Sequence, residues 1–207
     1  MTDDDIDDAE LDEWLAEEEE ADSDAASLLR EALAGARGAA APSDVTAVAQ
    51  RVRDGLAGGG YPFTWIRAAA DFGDAAPSES AELMVATVAA TISPREETGL
   101  GAEDESLLLT LERADWLGAV VELVRAGPGA PARPRDLVAA IYRCPEVEVG
   151  PDVEPDDDAI TEAGFQLVTT AWMALGVLDE DERLTRLGAW VLPRALARAW
   201  GSEFDAA

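Results

Sequence analysis

The sequence predicts a mainly α-helical protein with one small β-hairpin close to its C-terminal end. Three observations predict this. Apolar residues return at i, i+3, i+4 and i+7 in successive stretches, and Gly or Pro separates those stretches. Only 177–184, "VLDEDERL", places short apolar pairs on either side of a charged turn. Hydrophobic residues make up 48% of the 207, enough to bury a sizeable core.

Residues 1–25 are an acidic, low-complexity segment whose self-repulsion predicts a disordered tail. Within it Leu11, Trp14 and Leu15 keep helical spacing, with Ile6 upstream. Two readings stand side by side. The tail solubilises, or its apolar residues fold into a partner's groove.

Residues 26–100 read as a helical region. "PSDVTAVAQRVRDGLAGGG" predicts a helix capped by Ser43 or Asp44, with Val45, Val48, Val52 and Leu56 on one face and glycines at its end. Tyr61, Phe63, Trp65, Ile66 and Phe72 form an aromatic cluster at the head of a short helix, expected in the core. Ser78 or Ser80 then caps a helix carrying Leu83, Val85, Val88 and Ile92. "SPREETGLGAEDE" is the best candidate boundary, and residues 101–207 read as the second domain.

Residues 106–125 predict a single strong helix, with Leu107, Leu111, Ala114, Val121 and Val124 in one stripe broadened by Leu117 and Val120. Its width predicts central burial. A short helix follows at 135–143. After an acidic loop, a third runs from about 157 to 175 with Ile160, Gly164, Leu167, Val168, Ala171 and Leu175 on one face. The charged turn and a terminal helix containing Gly188 complete the chain.

Helix, short helix, longer helix, hairpin, helix, together with "ALGVL" and "RLTRLGAWVL", resembles the winged helix-turn-helix superfamily over about residues 106–200. The resemblance implies a helical N-terminal region followed by a winged-helix-like domain with one small hairpin. In that superfamily the third helix enters the major groove and the wing follows the backbone. The shape also serves protein binding, so the fold alone does not assign a function.

Charge argues against DNA. The chain carries 44 Asp and Glu against 15 Arg, no Lys and no His, a formal net charge of −29. Affinity for DNA depends on cations neutralising phosphates. No base lies between Arg143 and Arg183, an interval with 12 acids that include Asp179, Glu180, Asp181 and Glu182 at the turn. The loop before the third helix spans about a dozen residues, where a DNA-binding turn has about 3–4. The same absences exclude Ser-His-Asp and Cys-His catalysis, a P-loop, a Schiff-base lysine and a His/Cys zinc site. "DVEPDDDAITEAG" departs from the calcium loop at Pro155 and lacks its central glycine. Cys144 is alone and is expected as a small core residue. No signal or membrane-spanning pattern is present, which predicts a cytoplasmic protein.

The expectation is therefore a non-enzymatic acidic regulatory or adaptor protein that binds a protein partner of basic character. It has no catalytic set, no cofactor, no metal and no membrane. The alternatives are a winged-helix transcription regulator that binds DNA, and a DNA mimic whose carboxylates occupy a basic groove. Candidate partner-binding residues are Leu11, Trp14 and Leu15 in the tail, and Arg186, Arg194 and Arg198 near the end. The arginines are expected to pair with surplus acids, or else to seat an acidic segment such as the tail itself.

Overall fold

The computed structural model describes residues 27, 30, 34, 39–70, 72, 75–92, 102–109, 111, 113–144 and 155–204. Among these lie eight helices: α1 (Val45–Gly58), α2 (Phe63–Ala70), α3 (Ser80–Ile92), α4 (Ala102–Leu109), α5 (Arg113–Ala126), α6 (Pro134–Ile141), α7 (Pro155–Ala174) and α8 (Arg186–Phe204). The expected mainly α architecture is what the chain adopts. None of the described helices is long and apolar enough to cross a membrane.

Helix α1 buries Val48, Ala49, Val52 and Leu56 on one stripe, as its periodicity predicts. Asp44, one of the two expected residues, occupies the N-cap position but supplies no side-chain cap. Asp44 has helical backbone angles and makes no side-chain cap hydrogen bond. The first turn closes through Pro42 O instead, which accepts from Val45 N at 3.0 Å. Gly59, at φ 73°, ends the helix in a conformation glycine adopts without steric cost.

The central helix is α3. From Leu83 to Ile92 every residue except Val85 is buried. An amphipathic stripe covers one side of a helix, whereas α3 packs on α1, α2, α7 and α8 together. Its two threonines tolerate this because their hydroxyls bond within the helix. Thr87 donates to Leu83 O at 2.9 Å and Thr91 to Val88 O at 2.7 Å. At its C-terminal end Ile92 O accepts from Trp200 Nε1 at 3.1 Å.

The single helix expected over 106–125 is two, α4 and α5. The chain turns between them, and Leu111 N bonds Leu108 O at 3.3 Å. The apolar period runs unbroken across the turn, yet its two parts serve different neighbours. Helix α4 packs on α7, whereas α5 packs on α6 and α8. Leu111 is buried in the turn itself. Helix α7 buries Gly164, Phe165, Val168, Thr169, Ala171 and Trp172. Ile160, expected on its buried face, is 44% exposed, because the core contacts begin a turn later at Gly164 and Phe165. Trp116 meets Phe165 edge to face with ring centroids 5.5 Å apart, and Trp172 at 6.5 Å.

Buried residues from Val48 to Ile92 and from Leu108 to Leu196 form one cluster. The boundary expected at 93–105 falls largely outside the described residues. Of the expected aromatic cluster, Trp65 and Ile66 are core, Phe63 and Phe72 pack against it, and Tyr61 is 49% exposed. Cys144 is buried.

Candidate partner-binding surfaces

The segment after α7 is shaped by short-range polar bonds. Leu178 and Leu184 form an antiparallel bridge, as do Pro131 and Arg183. Ala132 N donates to Glu182 O at 2.8 Å and Leu184 N to Ala130 O at 2.9 Å. The stretch 129–132, between α5 and α6, thereby lies along 182–184. Four acids occupy the turn, but one of them is structural. Asp179 Oδ1 accepts from Asp181 N at 3.0 Å and from Arg183 N at 2.9 Å, closing the turn over itself. Glu182 has φ 55°, a left-handed conformation uncommon outside glycine and asparagine.

Thr185 joins this turn to α8. Its hydroxyl donates to Gly176 O at 2.7 Å and accepts from Gly188 N at 2.9 Å. Gly188 has no room for a side chain. A Cβ there would stand 2.3 Å from Val177 O and 2.6 Å from Leu184 Cδ1. The "LTRLG" phrase is thus a packing device, in which Leu184 and Leu187 enter the core while Thr185 and Gly188 hold α8 against the 176–178 segment.

Helix α6 starts with a carboxylate cap, in which Asp136 accepts from Arg133. Pro134 occupies its first turn. Asp136 Oδ2 accepts from Arg133 N at 3.2 Å and from Arg133 Nε at 2.7 Å, and Oδ1 accepts from Arg133 Nη2 at 3.2 Å. Burial would raise the Asp136 carboxyl, but the bonds to Arg133 and the charges of Arg133 and Arg135 hold it below its ordinary value. Arg133 is held above its own, first by the bond it donates to Asp136, then by the Asp136 charge, and also by the charge of Glu182.

These elements bound an open cleft of about 490 Å³ lined by Arg133, Pro134, Arg135, Ala159, Glu162, Ala163, Gln166 and Glu182. Its apolar lining is small, from Pro134, Ala159 and Ala163. Its rim carries both signs of charge. Including Asp136 and the turn, six carboxylates (Asp136, Glu162, Asp179, Glu180, Asp181, Glu182) stand against three guanidiniums, Arg133, Arg135 and Arg183. Arg133 is engaged by Asp136, and Arg183 donates to Gly129 O at 2.8 Å.

A second surface follows α8. Arg186, Trp190, Arg194 and Arg198 succeed one another at i, i+4 spacing. The guanidinium of Arg194 lies over the Trp190 ring, 4.5 Å from its centroid, and donates to Trp190 O at 2.6 Å. Trp190 Nε1 and Arg194 Nη2 both donate to Ala39 O, each at 3.2 Å. Burial lowers the Arg194 pKa. Arg198 pairs with Glu82 of α3, the pairing with surplus acid expected of these arginines. Arg186 is exposed in the first turn. The three arginines therefore share a helix face, while Arg194 and Arg198 are directed to different neighbours. Leu11, Trp14 and Leu15 lie outside the described residues.

Sequence reading missed the cleft. Its one legible signal was "RPRD", since Pro at the first helical position with Asp two residues on is a helix-start pattern. Among the described residues no group of three or more carboxylates and thiols converges as a metal site would require. No family model, curated protein or solved structure matches the chain.

Proposed function

We propose that the chain is a non-enzymatic acidic regulatory or adaptor protein that acts by binding another protein. In this reading about residues 106–200 serve as a winged-helix-like module. The order α5, the 129–132 stretch, α6, α7, the 179–183 turn and α8 supports it, as do the two antiparallel bridges. In this reading α7 corresponds to the helix that enters the major groove in DNA-binding winged-helix proteins.

One observation carries the reading. The cleft beside α7 is lined by Ala159, Ala163, Glu162 and Glu182 on α7 and the turn, and by Arg133 and Arg135 at the start of α6, while no base occurs from 144 to 182. A phosphate backbone would meet carboxylates there, and a protein surface would meet small apolar contacts with a charged rim. The acidic N-terminal segment with Leu11, Trp14 and Leu15 is a second candidate contact in the same reading.

The test pairs two measurements. A photo-crosslinker at Gln166 in cells of the source should capture a discrete protein, and Ala163→Arg should abolish that adduct. Purified protein should not retard duplex DNA at low salt. Retardation of DNA that Ala163→Arg prevents would instead support the transcription-regulator alternative.

A further inference from the structure

Helix α8 holds the point at which the N-terminal part of the chain meets the core, and it is also the helix with the largest excess of base. We infer that the acidic segment 1–25 docks in cis along the arginine face of α8. A basic partner of that segment would have to displace it from α8 first. This contact does not depend on the cleft beside α7.

Position gives the segment its address. Two donors of α8 converge on one carbonyl, since Trp190 Nε1 and Arg194 Nη2 both bond Ala39 O at 3.2 Å. Segment 1–25 is therefore tethered to the middle of α8 through residues 26–38. A tether of 13 residues spans at most about 45 Å. Helix α8, with 19 residues, is about 28 Å long. Every arginine of α8 is within reach of the segment, at the raised effective concentration that a short tether provides.

Charge selects α8 among the surfaces in reach. The segment carries 14 acids and neither Lys nor Arg. Helix α8 sets Arg186, Arg194 and Arg198 against the one acid Glu203, an excess of two bases (3 − 1). Helices α1 and α2 have an excess of one base each, whereas the charged residues of α4 and α7 are all acids and repel the segment. Arg186 is exposed in the first turn. Arg198 bonds Glu82, but both side chains are half-exposed, and an exposed pair of this kind is weak. A carboxylate of the segment can take the place of Glu82. Arg194 is committed to Ala39 and holds the entry point. Trp190 and Ala197, partly buried on the same face, offer apolar contact to Leu11, Trp14 and Leu15 between the charges.

The experiment uses the full chain, ¹⁵N-labelled, with a spin label at Ala16→Cys and with Cys144→Ala to leave one thiol. Amide intensities are compared with the label oxidised and reduced. Broadening is expected at Arg186, Trp190, Ala197 and Arg198 above that at Arg51 and Arg67. It should fall several-fold between about 50 and 500 mM salt, over which the screening length shrinks about threefold. The tether alone brings the label near α8, so charge reversal is the decisive comparison. Arg186→Glu with Arg198→Glu should reduce the broadening several-fold, whereas Glu82→Gln, which frees Arg198, should increase it. Circular dichroism confirms that the variants fold, and Arg186→Glu alone, at an exposed position, keeps the test valid if the double variant does not. Broadening that neither charge variant changes, or that is equal on α1 and α2, reflects the tether only and overturns the inference. A mixture of spin-labelled ¹⁴N chain with label-free ¹⁵N chain identifies the copy. Equal broadening of the ¹⁵N chain in that mixture would assign the segment to α8 of a second copy and overturn docking in cis.

Discussion

Trp172 Nε1 donates to Thr91 Oγ1 at 2.9 Å, across 81 positions of sequence, in the buried contact between α7 and α3. Trp116, whose ring lies beside that of Trp172, is also fully buried, but its indole nitrogen has no hydrogen-bond partner among the described residues. The two tryptophans therefore separate packing from hydrogen bonding in one cluster. Trp→Phe removes the same atoms at either site. Trp172→Phe should cost about 1 kcal/mol more than Trp116→Phe, the net worth of one buried hydrogen bond. Urea unfolding midpoints of the two variants measure the difference, and equal losses would show that the Thr91 bond contributes nothing net.

Thr185 and Gly188 make a sharper prediction. Thr185→Ala loses both the bond from Gly188 N and the bond to Gly176 O, and should destabilise by about 1–2 kcal/mol. Thr185→Ser should restore most of it. Gly188→Ala places a methyl group against a backbone carbonyl, with no flexible side chain to move aside, and should cost about 3 kcal/mol or more. Thermal unfolding of the three variants checks the order Ser, Ala, then the Gly188 variant.

The split between what the sequence revealed and what it concealed has a physical basis. Val48, Val52 and Leu56 announced themselves because α1 buries one face and exposes the other. Helix α3 concealed its centrality because a helix buried all round has no polar stripe to contrast with. The turn at Leu111 was invisible because an apolar period reports burial, not the neighbour that causes it. Ile160 misled for the complementary reason, since helical spacing extends past the last residue that the core covers. The cleft joins Arg133, Glu162 and Glu182, which only tertiary structure brings together. Of the arginines, spacing placed Arg186, Arg194 and Arg198 on one face, while Ala39 and Glu82 decided where the last two point.

Glu182 tests whether the turn holds strain. A non-glycine residue in the left-handed region costs about 1–2 kcal/mol. Glu182→Gly removes that cost but adds freedom to the unfolded chain, so a net stabilisation of up to about 1 kcal/mol is expected. Asp179→Ala removes the acceptor for two amides and should destabilise by about 1–2 kcal/mol. A Glu182→Gly melting point below that of the parent would show that the glutamate side chain itself supports the turn.

Asp136 predicts a pH dependence of definite sign. Its pKa in the folded chain lies below the ordinary carboxylate value of 3.8. A depressed carboxyl stabilises the folded state above its unfolded pKa, and that stabilisation is lost as the pH falls through the folded value. Acidification also relieves repulsion among the other carboxylates, so absolute stability mixes the two effects. The difference between the parent and Asp136→Asn isolates the first. The melting-point gap should be full at pH 7 and narrow below about pH 4. A gap that widens on acidification would contradict the Arg133 bonding.

Helix α3 has one more consequence, which concerns time rather than energy. Beyond its first turn, a helix enclosed by α1, α2, α7 and α8 has little solvent-facing surface from which to fray. Its interior amides, Val88 to Ile92 above all, reach deuterium only when the surrounding helices separate as well. Their exchange should be the slowest in the molecule and should follow the global unfolding free energy measured in urea. The amides of α3 would then act as a clock for opening of the whole domain, readable in native buffer without denaturant.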